Sequence, residues 1–410
     1  MDVFEILSVL TTLAALFAWL NHRYVRLPPS IGVMLLALLF SLGLVALGAL
    51  GIHLGAGVEV LLRAVDFDEA LLHGMLGALL FVGALHLNLN ELASQKGLIA
   101  LLASGGTLLS TALVGFGAWA LFGALGLPLS LVTCLLFGAL ISPTDPIAVL
   151  GILKHLRVPR SLEIKIAGES LFNDGVSVVV FLVLLEVARR GGAPAIGDVL
   201  ELLVVEVAGG VAFGLGLGWL AYRMLRSVDQ YQVETLITLA IVTGGYSAAH
   251  ALHVSGPLAM VVAGLLIGNH GRRLAMSERT RERLDAFWEL VDEFLNAILF
   301  VLIGLEVLIL DFELRWIAVG LLVIPLVLAA RGSSVGAMVW LLRRWRTFSP
   351  HAVKTLTWAG LRGGISVALA LSLPEGPERD LLVAITYIVV CFSILVQGLS
   401  IGPLLARLYP

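Results

Sequence analysis

Apolar runs of 18 or more residues recur from one end of the chain to the other. Short clusters of turn residues or charges separate them, as at Leu27-Pro28-Pro29-Ser30 and Pro374-Glu375-Gly376-Pro377. Runs of that length match the ~20 residues a helix needs to cross the hydrocarbon core of a bilayer. The pattern predicts an all-α, polytopic membrane protein with about thirteen spans. They fall near 3–20, 30–51, 69–88, 97–123, 128–150, 162–188, 198–224, 232–250, 256–270, 284–309, 314–342, 350–373 and 381–406. The ninth is short, and 52–68 reads as a surface helix outside the count.

Composition agrees. Of 410 residues, 59% are hydrophobic and 13% charged, with a mean hydropathy of +1.01. One soluble core cannot hide that much apolar surface. The 44 glycines suit close helix packing in lipid. The acidic start, Met1-Asp2-Val3-Phe4-Glu5, lacks the basic region of a signal peptide, so the first apolar run is expected to be retained. Cys134 and Cys391 each lie inside a predicted span and suggest neither a disulfide framework nor a metal site.

Basic residues set the orientation. With thirteen spans, the loops after the odd-numbered ones share the side of the C-terminus. Those loops and the tail hold 18 of the 26 Lys and Arg. The opposite loops hold Arg63, Arg189, Arg190, Arg315 and Arg379, and Lys165, Arg331 and Arg362 lie within spans. An outer N-terminus and a cytoplasmic C-terminus are expected, with Arg189-Arg190 as the exception. The basic loop 271–283 reads as an orientation signal in preference to a lipid or regulator site. With Pro410 following the last span directly, no soluble regulatory domain is expected.

Two predicted spans contain breaks. In Ile141-Ser142-Pro143-Thr144-Asp145-Pro146 the two prolines lack N–H groups and clash with the preceding turn. In Gly360-Leu361-Arg362-Gly363-Gly364-Ile365-Ser366 three glycines surround an arginine. Freed backbone groups at membrane depth need partners. Interrupted helices in corresponding positions of two halves point to the site of an inverted-repeat transporter. The halves would be approximately 1–190 and 230–410, each of six helices, with 198–224 as a linker helix. The correspondence rests on topology and break position, since the halves share little residue identity.

The charges within the spans carry the chemistry. Gly168-Glu169-Ser170-Leu171-Phe172-Asn173-Asp174 places Ser170, Asn173 and Asp174 on one helical stripe, with Glu169 beside it. A carboxylate within a membrane helix costs several kcal/mol by the milder scales and usually marks an ion or proton path. Buried arginines need acids or carbonyls. Glu169 could pair with Arg331 or with Arg362. Asp174 has only uncharged helical neighbours, which leaves it to bind a mobile cation. Oxygen ligands suit a hard cation such as Na⁺. Asp174, Ser170, Thr144 and the freed carbonyls of the first break could supply them, with Asp145 nearby. Without the ion Asp174 should take a proton, since desolvation disfavours the charged form.

Weaker candidates are read as structural. Glu186 and Glu206 lie near span ends, and Asp292, Asn296 and Glu306 line the tenth span. His250 and His253 sit at an outer loop. Gly210-x-x-x-Gly214-x-x-x-Gly218 could pack a dimer or a neighbouring helix.

Ser142-Pro143-Thr144-Asp145-Pro146, Gly168-Glu169-Ser170-Leu171-Phe172-Asn173-Asp174, Ala330-Arg331 and Gly360-Leu361-Arg362-Gly363 occur in this order. Together they resemble the NhaP and eukaryotic sodium–proton exchanger branch of the monovalent cation/proton antiporters, over essentially the whole chain. The resemblance implies a thirteen-helix homodimer of NhaA-like fold, with crossed, broken helices, a core domain and a dimerisation domain. It implies that Asp174 carries the ion or proton, with Thr144, Ser170 and Asp145 around it, and that Glu169 pairs with Arg331. Asn173 stands where electrogenic relatives carry a second aspartate. An amide does not titrate near neutral pH, so the resemblance implies electroneutral exchange.

The expected function is Na⁺/H⁺ antiport by alternating access in a bacterial inner membrane. The expected partners are a monovalent cation, the proton, membrane lipid and a second copy of the chain. A K⁺/H⁺ antiporter of the same fold is the first alternative, and a cation channel or sensor the second. Neither an enzyme, a cofactor nor a nucleic-acid partner is expected.

Overall fold

The computed structural model describes residues 3–51, 74–146, 149, 150, 153, 160–190, 196–310, 313–344, 348 and 351–409. The expected surface helix at 52–68, the start of the third predicted span, and Arg63, Lys154, Arg157 and Arg346 lie outside the described residues. Within them the chain is helical, and the single bridge of extended backbone joins Asp145 to Leu361.

The helices used below are α1 (Val3–Leu20), α2 (Pro29–Ala49), α3 (Leu76–Leu85), α4 (Leu89–Leu101), α5 (Thr107–Ala124), α6 (Leu131–Ile141), α7 (Arg160–Arg190) and α8 (Ile196–Leu225). They continue with α9 (Tyr231–Ala251), α10 (Gly256–Leu266), α11 (Glu278–Leu305), α12 (Leu314–Leu342), α13 (Ala352–Trp358), α14 (Gly364–Leu371), α15 (Pro377–Phe392) and α16 (Gly398–Leu408). Among the described residues, seven stretches are long and apolar enough to cross a membrane, including Leu162–Arg189, Leu314–Leu342 and Pro377–Leu408. Leu76–Leu85, Leu131–Ile141 and Gly256–Gly271 are shorter apolar helices.

Local signals set the helix ends. Ser130, Ser255 and Ser277 each accept a backbone N–H from the first turn of the helix that follows, which satisfies one of the donors a helix start leaves open. Prolines occupy the first turns of α2, α10 and α15, where a missing N–H costs nothing. The helix α6 stops at Ile141, before Pro143, and α13 stops at Trp358, before the glycines.

Small residues let the backbones approach. A methyl group at Gly214 would lie 2.6 Å from the carbonyl oxygen of Ala259, and Gly210 and Gly218 face α10 in the same way. The glycine stripe of α8 is therefore used within the chain, which decides between the two readings left open by its spacing. Ser41 on α2 donates to the Gly304 carbonyl at 2.9 Å, tying α2 to α11. One apolar core gathers residues of α1, α2, α11, α13 and α14. A second gathers α5, α6, α7, α12 and α15. The two broken helices lie where these cores meet.

Candidate functional site

The Asp145 N–H donates to the Leu361 carbonyl at 2.8 Å, so the two breaks touch through their backbones. Glycine is required there by proximity. A methyl group at Gly363 would lie 2.7 Å from the Asp145 Cβ, and one at Gly360 would lie 2.7 Å from Arg331 Nε.

Arg362 bridges the breaks a second time. Its Nη1 donates to the carbonyls of Ser142 and Pro143, at 2.5 and 2.9 Å. Both carbonyls lie just past the end of α6. The guanidinium, 2% exposed, thus stands in for the missing turn. Two of the carbonyls of the first break are thus engaged by Arg362.

Arg331 takes the acid. Its Nη1 lies 2.5 Å from Glu169 Oε1, and its Nη2 donates to the Leu356 carbonyl at 3.3 Å. Both side chains are buried. The pair joins α7, α12 and α13, and of the two arginines open to Glu169 the structure pairs Arg331.

Thr144, Ser170 and Asn173 form one hydrogen-bonded unit. Asn173 Nδ2 donates to Thr144 Oγ1 at 2.7 Å, and the Thr144 N–H donates to Asn173 Oδ1 at 3.2 Å. The Thr144 and Ser170 hydroxyls lie 2.9 Å apart. Asn173 is a clamp on the break as well as an uncharged neighbour of Asp174. Behind the unit the Ser142 hydroxyl donates to the Gly138 carbonyl at 2.7 Å and lies 3.1 Å from the Ser110 hydroxyl of α5.

Asp174 follows Asn173 on α7. It is 5% exposed, and its Oδ1 is buried with no hydrogen-bond partner among the described residues. Asp145 is near enough to act on it electrostatically. The result is a buried acid one helical turn from Ser170 on α7, with Arg331 and Arg362 bonded to other groups. That arrangement can hold a small cation through oxygens, or a proton in its place.

The other sequence candidates lie elsewhere. Asn296 is buried on α11, with neither amide atom partnered among the described residues, and Asp292 is one turn away. Glu306 follows the end of α11. The Glu206 carbonyl accepts the Ser255 N–H at 3.2 Å. His253 adopts a left-handed backbone (φ 54°) just past α9. Within the basic loop, Arg272 pairs with Asp285.

Two residues escaped the sequence reading. Ser393 Oγ accepts the Arg362 N–H at 2.8 Å and donates to Gln397 Oε1 at 2.8 Å. The signal was present, as two polar residues four apart in an otherwise apolar run.

A helical membrane bundle in which two interrupted helices meet near a buried acid, one of whose oxygens has no hydrogen-bond partner among the described residues, has the architecture of an ion transporter. The family model for transmembrane sodium/hydrogen exchangers matches residues 10–407, and the chain belongs to that family. It is 51% identical over 410 residues to the Na⁺/H⁺ antiporter NhaP of Pseudomonas aeruginosa, covering 99% of this chain and 97% of that one. It is 36% identical to the Na⁺/H⁺ antiporter NhaH of Halobacillus dabanensis, over 83% and 84% of the two chains. Its fold is similar to that of the sodium proton antiporter MjNhaP1 from Methanocaldococcus jannaschii at pH 8, with a TM-score of 0.75 at 19% identity, covering 100% of this chain and 99% of that one.

Proposed function

We propose that the chain exchanges Na⁺ for H⁺ across a membrane, with Asp174 binding one or the other. The observation that carries the reading is the buried Asp174 Oδ1 without a hydrogen-bond partner among the described residues. Family membership and the 51% identity to a Na⁺/H⁺ antiporter support it. Thr144 and Ser170 would supply neutral oxygens, and Asp145 would share the electrostatic load.

The exchange would be electroneutral. Asn173 is an amide bonded at both ends to Thr144, and Glu169 is held by Arg331. A site that crosses with either one Na⁺ or one proton moves the same charge both ways. Thirteen spans in two inverted repeats, 1–190 and 230–410, would place the two breaks at corresponding depths. A core of the broken helices with α5, α7, α12 and α15 would move against a scaffold and carry Asp174 between the two faces. The N-terminus would lie outside and the C-terminus in the cytoplasm of a bacterial inner membrane, and the unit would be a homodimer.

The test is a pH-dye assay in proteoliposomes, comparing Na⁺, Li⁺, K⁺ and Rb⁺. Dequenching by Na⁺ is the expected result. Dequenching by K⁺ alone would replace the sodium reading by the potassium one, and steady current without coupled proton flux would indicate a channel.

A further inference from the structure

In an unbroken helix the Arg362 N–H would bond to the Trp358 carbonyl, four residues back. Here it does not. It donates instead to Ser393 Oγ at 2.8 Å; Ser393 Oγ donates to Gln397 Oε1 at 2.8 Å; Gln397 Nε2 donates to the Trp358 carbonyl at 3.3 Å. The three bonds connect the same two backbone groups that the break separates. Their directions are fixed by chemistry. An N–H can only donate and a carbonyl can only accept. The Ser393 hydroxyl hydrogen is therefore left for Gln397 Oε1, and the amide nitrogen for Trp358.

Both side chains are buried. They stand on a π-helical turn, Ser393–Gln397, between α15 and α16. Such turns inside longer helices occur often at functional sites. The Trp358 indole also donates to Ser400 Oγ at 2.9 Å, one turn further on. The π-helical turn and the start of α16 thus hold both rims of the second break.

We propose that Ser393 and Gln397 are positioning residues that splice this break open and fix where it meets the first one. The consequence follows from adjacency. Arg362, whose N–H the splice holds, also holds the Ser142 and Pro143 carbonyls. Leu361, one residue earlier, accepts the Asp145 N–H. Releasing the Arg362 N–H shifts both contacts, and with them Thr144 and Asp145 relative to Asp174. Neither Ser393 nor Gln397 touches the ion in this account.

The test uses the full chain and has two arms. Hydrogen exchange is followed on a peptide covering Ala359–Ser366, and Na⁺ kinetics are measured in proteoliposomes. The second arm rests on the antiporter reading; the first does not. Ser393→Ala removes the hydroxyl, Ser393→Thr keeps it, and Gln397→Met keeps the size of the side chain while losing both donor and acceptor. Loss of one neutral hydrogen bond corresponds to about a fivefold effect. Ser393→Ala and Gln397→Met should speed exchange at the break by about that factor or more and raise the Na⁺ KM about as much, with the maximal rate nearly unchanged. Ser393→Thr should match the parent in both arms. If Ser393→Ala does not fold, Gln397→Met, which is close in volume, carries the same expectation. Parental exchange at the break in Ser393→Ala and Gln397→Met overturns the splice, whatever ion is carried. Faster exchange with a parental KM, or Ser393→Thr as impaired as Ser393→Ala, overturns the positioning role.

Discussion

Asn173 grips Thr144 at two points, giving a hydrogen bond to its hydroxyl at 2.7 Å and taking one from its backbone N–H at 3.2 Å. Thr144 lies in the break after α6, where no helical partner is available for that N–H. The amide therefore holds open backbone in place within one residue of Asp174. A carboxylate at the same position would offer two acceptors and no donor.

Asn173→Ala should raise the apparent Na⁺ KM more than it lowers thermal stability. Two neutral hydrogen bonds disappear, each of about 1 kcal/mol, so an increase of about tenfold or more is expected. Thr144→Ala and Ser170→Ala should raise KM as well, since each removes a neutral ligand and leaves the acid. Dye dequenching over a Na⁺ series measures all three, and a parental KM in Thr144→Ala and Ser170→Ala would take those hydroxyls out of the site.

Glu169→Gln and Arg331→Ala should each destabilise the fold strongly. The pair is buried, and removing one partner leaves an uncompensated charge, which costs about 3–5 kcal/mol in soluble proteins. Joint replacement by apolar residues should recover part of the loss. Melting curves in detergent that show simple additivity would contradict the pairing.

Gly363→Ala should impair transport with a smaller loss of stability than breaking that pair. The added methyl would press on the Asp145 side chain, so Asp145 or the Leu361 contact must shift. Gly216, which has open space around its Cβ position, is the control: Gly216→Ala should transport like the parent. Equal activity in both variants would show that the crossing tolerates displacement.

The helices were legible because long apolar runs and proline or glycine breaks are local signals. The breaks at Pro143, Pro146 and Gly360–Gly364 and the acids of α7 were read from the chain directly. The partners of the arginines were a different matter. Sequence chemistry required Arg331 and Arg362 to find acids or carbonyls but did not say which. Arg362 and Ser142 are separated by 220 residues, and no local pattern records that distance. The same holds for the α8 glycines, whose spacing suits a second chain as well as α10. Ser393 and Gln397 were overlooked because uncharged polar residues in a membrane span have many ordinary uses.

Exchange should be insensitive to membrane potential and should slow at acidic pH. Protons compete with Na⁺ for one carboxylate, so lowering the pH raises the apparent Na⁺ KM, and raising Na⁺ restores the rate. An imposed potential with valinomycin and K⁺, with Na⁺ as the transported ion, should leave the proton flux unchanged. Flux that follows the potential would show that Asp145 also carries a proton through the cycle.

Asp174 is proposed to be the group that carries Na⁺ and H⁺ in turn. The decisive measurement is Na⁺-driven dye dequenching in proteoliposomes of Asp174→Asn, with a melting curve to show that the variant is folded. From a protein that melts near the parental temperature, no Na⁺-dependent proton flux is the expected result. Substantial Na⁺-driven flux from that folded variant would contradict it and move the carrier role to another acid, with Asp145 the nearest candidate.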